Sequence, residues 1–502
     1  MDAIELRSNP LVWAQSRLVI SPQRRWKIAV AYPLLVLGVA TLVDRASGGM
    51  ALSQLCTGVI GFMFGGQALF LGIVATSVLF KAVQRDYATG MIESHRLSGM
   101  APTSIVLGYL FGPTSQSMLF ALENFAIGGV ASLLGGGTGI RSWVTLNLMI
   151  AIIALMLWTL NALAAISSGG KSNALGALFA FVFMGGTALL RFIPIFPVLF
   201  GGVLSAGGSV LGTGSGVAVG SRAGGVAVLI GVPAQFLLGL LCFIAAVRKV
   251  RRADVQAFDW RLGLALVALV DVLVVTGLWG VQSVTQIRLR PGRLLADTED
   301  GNFILVQTVA SQLLLTLAAF VPVSAAAQAE ARWRRRRWYD PQDDERRPVP
   351  AWMVALIAAG LLFVPAIESS HVTQTKADAA MACGVLALGL VGMGGFMRWM
   401  YRGRDRVGLF ATGYFFAAWI VPLILEGLWQ AYFAPAEIHT RYTPLMGFSP
   451  FGATHAFVFG TNAPILIGVV VQACVAICLW FFALKWRPRA VAARAASAAA
   501  KG

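Results

Sequence analysis

The chain has 502 residues, 57% of them hydrophobic and 12% charged, with a formal net charge of +17. A soluble domain carries about twice that charged fraction, which excludes a soluble enzyme or a nucleic-acid-binding domain as the main body. The apolar residues fall in runs near the roughly 20 needed to cross a bilayer, and the basic excess suits cytoplasmic loops and anionic headgroups.

Residues 1–27 are polar and basic and interleave Leu11, Val12, Leu18 and Ile20 with Gln15, Arg17 and Arg24. With Trp13 and Trp26, which suit an interface, this pattern predicts an amphipathic interfacial helix. No cleavable signal follows, so the first apolar run is expected to stay as an anchor. The first span is Ile28–Val43, and Asp44 and Arg45 open a short loop. The second span is Leu55–Phe80. The polar stretch KAVQRDYATGMIESHRLSGMAPTSIVLG, Lys81 to Gly108, follows it and is long enough to hold a short surface helix. The third span is Ile105–Leu134, with Glu123 inside it, and the fourth is Trp143–Ser167. The fifth is Ala174–Leu190. Arg191 and a Pro/Gly/Ser-rich outer segment lead to the sixth, Val226–Val247.

The second half supplies Leu262–Gly280, Phe303–Ala327, Trp352–Ile367, Met381–Met397, Gly408–Phe433 and Pro464–Leu484. The expected fold is an all-α polytopic membrane protein of about twelve transmembrane helices, arranged as two six-helix halves. The domain reading is 1–27 interfacial helix, 28–252 first bundle, 253–484 second bundle and 485–502 basic tail. With both termini inside, the cytoplasmic intervals hold 30 of the 39 lysines and arginines, which predicts an N-in, C-in topology. The intervals 81–103 and 328–350 each follow the second span of their half, as a parallel duplication would place them.

Other chemistry finds little footing. The five cysteines, Cys56, Cys242, Cys383, Cys474 and Cys478, lie in or beside apolar spans and form no disulfide framework or metal-ligand spacing. His95, His371, His439 and His455 are scattered, with no ligand spacing. Gly170, Lys171 and Ser172 approach a phosphate-binding loop, but Ala165 stands where its first glycine belongs. No metal, cofactor or catalytic residue is expected, and any ATP would be bound by a separate chain. Three carboxylates lie inside spans, where charge is costly: Glu123, Asp271 and Glu426. They are candidates for a translocation path, with packing sites as the alternative. Glu426, near an outer end, is expected to reach water.

The stretch after the second span resembles the cytoplasmic segment of ABC exporter permeases of the type-2 class. The matching positions are Arg85, Asp86, Gly90, Glu93, Leu97 and Ser98, followed by Ile105, Val106 and Gly108. The opening NPLVWAQSR is similar to the interfacial helix of that family, and the resemblance covers about residues 1–250. Met91 stands where the family favours Thr, and Gly99 where it favours Pro. The resemblance implies the membrane subunit of an ATP-driven exporter in the bacterial cytoplasmic (inner) membrane. It also implies a separate ABC ATPase subunit, as a dimer, docked on 81–103, with no nucleic acid partner. Met91, Ile92, Leu97 and Met100 would supply the apolar contact. The chain could itself pair as a homodimer. Two other classes compete. A self-sufficient secondary carrier also uses twelve spans, and Arg402–Gly408 faintly resembles a loop of the major facilitator superfamily. A membrane glycosyltransferase would use an acidic residue such as Asp44 in the first outer loop, but that loop is too short to hold an acceptor.

Overall fold

A computed structural model describes residues 9–19, 21–49, 51–135, 139–169, 221–253, 256–285, 299–339, 348–370, 376–401, 410, 413–432, 448–450 and 462–485. Among them every regular element is a helix. Among the described residues six helices are long and apolar enough to cross a membrane, or seven if one bent pair counts as a span, which makes the chain an integral membrane protein. The predicted fifth span, Arg191, the Gly170–Ser172 turn, the Arg402–Gly408 motif, the basic tail, His371, His439 and His455 lie outside the described residues. The chain divides into two compact units, Met1–Ala257 with Trp279–Thr285, and Phe258–Leu278 with Gln286–Gly502.

In the first unit, α1 (Pro10–Val19) starts at a side-chain cap. Asn9 Oδ1 accepts from the backbone N–H of Leu11 at 2.9 Å and of Val12 at 3.4 Å, and Pro10 stands at the first helical position, where no N–H is missed. The Asn9 amide in turn donates to Ser104 O at 2.7 Å, fixing α1 to the chain 95 residues on. Next come α2 (Pro22–Ala46) and α3 (Leu52–Ala68). A π-helical turn, Leu69–Val74, joins α3 without a break to α4 (Ala75–Ala88). The second span therefore does not stop at Phe80, because the helix runs on through the charged residues to Ala88.

Three shorter elements follow: α5 (Met91–Leu97), α6 (Pro102–Phe111) and α7 (Ser115–Leu133). The third predicted span is thus broken. The axes of α6 and α7 differ by 53° across Gly112, Pro113 and Thr114, a Gly-Pro break that a straight helix cannot absorb. The loose carbonyl groups are answered locally: the Thr114 hydroxyl donates to Leu110 O, and Gly112 N–H to Gly108 O at 3.0 Å. The unit closes with α8 (Ile140–Ser167) and α9 (Ser221–Arg251). The helix α1 packs on α6, α3 on α7, α4 on α8, and α9 on both α8 and α6. The approach of α1 to α6 depends on glycine, since a Cβ on Gly108 would fall 2.6 Å from the Leu11 side chain.

In the second unit, α10 (Trp260–Thr285, whose residues from Trp279 on are grouped with the first unit) begins at Asp259, whose carboxylate accepts from Leu262 N–H at 2.8 Å. The long α11 (Glu299–Tyr339) carries the chain through the predicted eighth span and into the interval expected as a loop from 328. Then come α12 (Ala351–Ser370), α13 (Lys376–Met400), a π-helical turn (Phe416–Ile420) running into α14 (Val421–Tyr432), and α15 (Asn462–Lys485). Its core joins Ala326, Ala327, Ala351, Val354, Met393 and Met397. Three of the six are alanines, which let α11, α12 and α13 approach closely enough for methionine and tryptophan to fill the remaining space.

Candidate docking site

The helix α4 ends at Thr89, whose N–H bonds Arg85 O at 2.9 Å, and Gly90 turns the chain at φ +71. A residue with a Cβ is strained in that left-handed conformation, so glycine is what permits α5 to start one residue later. The far end is closed by Ser98, whose hydroxyl donates to His95 O at 2.8 Å. Pro102 then opens α6, as a proline at a first helical position does.

Three anchors, two on this short helix and one at the end of α4, hold the stretch to the unit beneath it. The Arg96 guanidinium donates through Nε to Val250 O at 2.8 Å and through Nη2 to Lys249 O at 3.3 Å. Those carbonyls lie in the last turn of α9, the negative end of the helix, where a cation is favoured. The Tyr87 hydroxyl does the same for α8, donating to Ile166 O at 2.8 Å. Ile92 is the third anchor, only 1% exposed. Arg96 also pairs with Glu93 on the surface of α5.

Below α5 lies a buried polar cluster. Asp86 is 4% exposed. Its Oδ2 accepts from Gln15 Nε2 at 2.8 Å and from the Tyr109 hydroxyl at 2.9 Å. Arg85 Nε lies 3.6 Å from Oδ1, and His95 Nε2 lies 3.8 Å from Oδ2. Arg85 also donates from Nη2 to Gln15 Oε1 at 3.0 Å. One carboxylate thus ties together α1, α4, α5 and α6, and buried charge of this kind is tolerable only with such donors around it.

The residues predicted to meet a partner therefore separate into two groups. Leu97 is 86% exposed, and Met91, Glu93, Ser98, Gly90 and Arg85 also face outward. Asp86 and Ile92 do not. Both were expected on the docking face, and both point into the unit: Ile92 because α5, of about two turns, must seat one side on the body to be held, and Asp86 because it lies on the inner side of α4 facing Gln15 and Tyr109. On the interfacial helix Leu11 is buried and Arg17 exposed, but one polar residue is turned inward and one apolar residue outward. Gln15 is buried on α6 and Trp13 and Leu18 are exposed, since Asp86 supplies a buried partner that the local sequence did not announce.

The three intramembrane carboxylates sit apart from this cluster. Glu123 is half-buried on α7, beside Asn124, whose Oδ1 accepts from the Tyr32 hydroxyl at 2.7 Å. Asp271 is buried on α10. Glu426, expected to reach water, is instead buried on α14, where the helix turns it inward. Sequence reasoning missed Gln15, Tyr87, Arg96 and Tyr109, whose partners are far along the chain. It also missed a buried ion pair in the second unit, Arg398 Nη1 to Glu330 Oε1 at 3.0 Å, with Arg334 Nη2 at 3.5 Å from the same oxygen. The signal was present in the sequence, since Glu330 and Arg398 end two spans on the same predicted side.

Compared with known proteins, the chain matches no family model, no curated protein and no solved structure.

Proposed function

We propose that the chain is the membrane subunit of an ATP-driven exporter of the ABC type-2 class, docked through α5 to a separate dimeric ATPase. Twelve spans, with both termini on the cytoplasmic side of a bacterial inner membrane, complete this reading. The observation that carries it is the combination in α5 of firm anchorage and an exposed apolar face. Arg96 and Ile92 hold the helix from below and Tyr87 fixes the end of α4 just before it, while Leu97 stands 86% exposed and Met91, at the other end of the helix, is exposed as well. A helix held so firmly cannot swing away to bury Leu97, so an exposed apolar face of this kind is a contact surface for another molecule. ATP is bound by the partner, and this chain does no covalent chemistry.

Co-expression with each ABC ATPase of the source genome, followed by affinity purification, tests the reading. One ATPase should co-elute and be stimulated by the wild type, and Leu97→Glu with Met91→Glu should abolish both effects. Transport driven by an ion gradient with no ATPase bound would overturn it.

One observation favours the secondary-carrier reading as second. Asp271 is buried within α10, and among the described residues its Oδ1 has no hydrogen-bond partner. Isolated carboxylates at membrane depth carry protons in gradient-driven carriers. Asp271→Asn would stop transport in a carrier and leave ATP-driven export intact.

A further inference from the structure

The helix α1 and the first turn of α2 form an elbow with a distinctive outer side. From residue 9 to residue 43 the sequence holds Arg17, Arg24, Arg25 and Lys27 and no Asp or Glu. The elbow is fixed: Arg25 Nη2 donates to Ser16 O at 2.8 Å and reaches Ser115 Oγ at 3.5 Å. The last turn of α1 and the first of α2 are therefore held side by side. The inner face of α1 is occupied by Leu11 and Gln15 seated against α6.

The outer side mixes two chemistries that seldom share a surface. Trp13 is 58% exposed, Leu18 61% and Trp26 73%. Arg17, Arg24 and Lys27 are exposed among them, and the Arg17 guanidinium lies 4.3 Å from the centre of the Trp13 ring. A face toward hydrocarbon would carry no such cations, and a face toward water would not leave two tryptophans open. The level that accepts both is the headgroup boundary. The span that begins at Gln23 places the elbow at that boundary.

We propose that this elbow is a binding site for an anionic phospholipid. Its headgroup faces Arg17, Arg24 and Lys27, its acyl chains run beside the apolar side of α2, and Trp13 and Trp26 flank its glycerol region. A zwitterionic lipid offers the same chains without the net charge, so charge is what the site selects. The bound lipid also bears on the docking segment. Gln15, on the opposite face of α1, holds the Asp86 carboxylate, so a lipid that steadies α1 steadies the base of α5.

The test uses the full-length protein in a neutral detergent. Its thermal midpoint is followed during titration with phosphatidylglycerol, phosphatidylcholine or inorganic phosphate. Phosphatidylglycerol should raise the midpoint, less so at high salt, and the other two should not. Each of Arg17→Gln, Arg24→Gln and Lys27→Gln should weaken the effect roughly five-fold, and the triple variant about a hundred-fold, with the lipid-free midpoint unchanged. If the triple variant does not insert, the single variants carry the same comparison. Trp13→Ala with Trp26→Ala should weaken phosphatidylglycerol binding while leaving its salt dependence intact. An equal response to phosphatidylcholine, or a phosphatidylglycerol response that the charge variants leave unaltered, overturns the proposal. A response to phosphate alone makes this a free-anion site and overturns the lipid assignment.

Discussion

Removing the Asp86 carboxylate should cost far more than removing its charge. Two donors, Gln15 Nε2 at 2.8 Å and the Tyr109 hydroxyl at 2.9 Å, converge on one of its oxygens. Asp86→Ala leaves both buried donors unanswered at about 1–3 kcal/mol each, so the expected loss is about 2–6 kcal/mol. The neighbouring Arg85 adds little, because its side chain is half-exposed and screened. Asp86→Asn keeps an acceptor oxygen in place and loses only charge assistance, about 1 kcal/mol. Reversible unfolding of the purified protein in mild detergent measures both variants. A double-mutant cycle with Tyr109→Phe then isolates one hydrogen bond. The reasoning fails if Ala and Asn are equally stable, or if Asp86→Ala stays within about 0.5 kcal/mol of the wild type.

Other outcomes follow from the same contacts. Leu97→Glu should leave unfolding unchanged to within about 0.5 kcal/mol, since the side chain touches little, while removing ATPase association in a pull-down. Gly108→Ala should destabilise the first unit by about 1–3 kcal/mol, because its Cβ meets Leu11, and pairing it with Leu11→Ala should restore part of the loss in the same unfolding assay. Arg398→Met should cost up to about 3–5 kcal/mol, because it leaves the buried Glu330 with only the partly exposed Arg334 at 3.5 Å, and Arg398→Met with Glu330→Leu should recover most of it in calorimetry. Gly90→Ala should slow docking and lower the melting temperature together, because φ +71 strains any side chain.

The membrane character was legible because apolar runs near bilayer length say the same thing in any fold. Helix limits were less so. Lys81–Ala88 looked like loop because its charges ended the apolar run, yet α4 needed no apolar run there once Ala82, Val83 and Asp86 had a body to face. The 53° break was written plainly as Gly112-Pro113, and hydropathy alone passed over it. Exposed Leu97 and the turn at Gly90 could be read locally. Asp86 could not, because its burial depends on Gln15, 71 residues earlier, and on Tyr109, 23 residues later. Glu330 and Arg398 could be placed on one side of the membrane but not paired, for the same reason. A charge at the end of a span reads as topology until its partner's position is known.

The break between α6 and α7 has a mechanical meaning. With their axes 53° apart, a displacement of α6 along its own length does not travel straight on. About 0.8 Å of every ångström arrives at α7 as movement across its axis, if both behave as rigid rods. Because the carbonyls at the corner are already bonded, the angle is stiff and works as a crank. Motion received at Pro102, just after α5, would reach the membrane interior turned sideways, in the direction that parts or closes neighbouring helices.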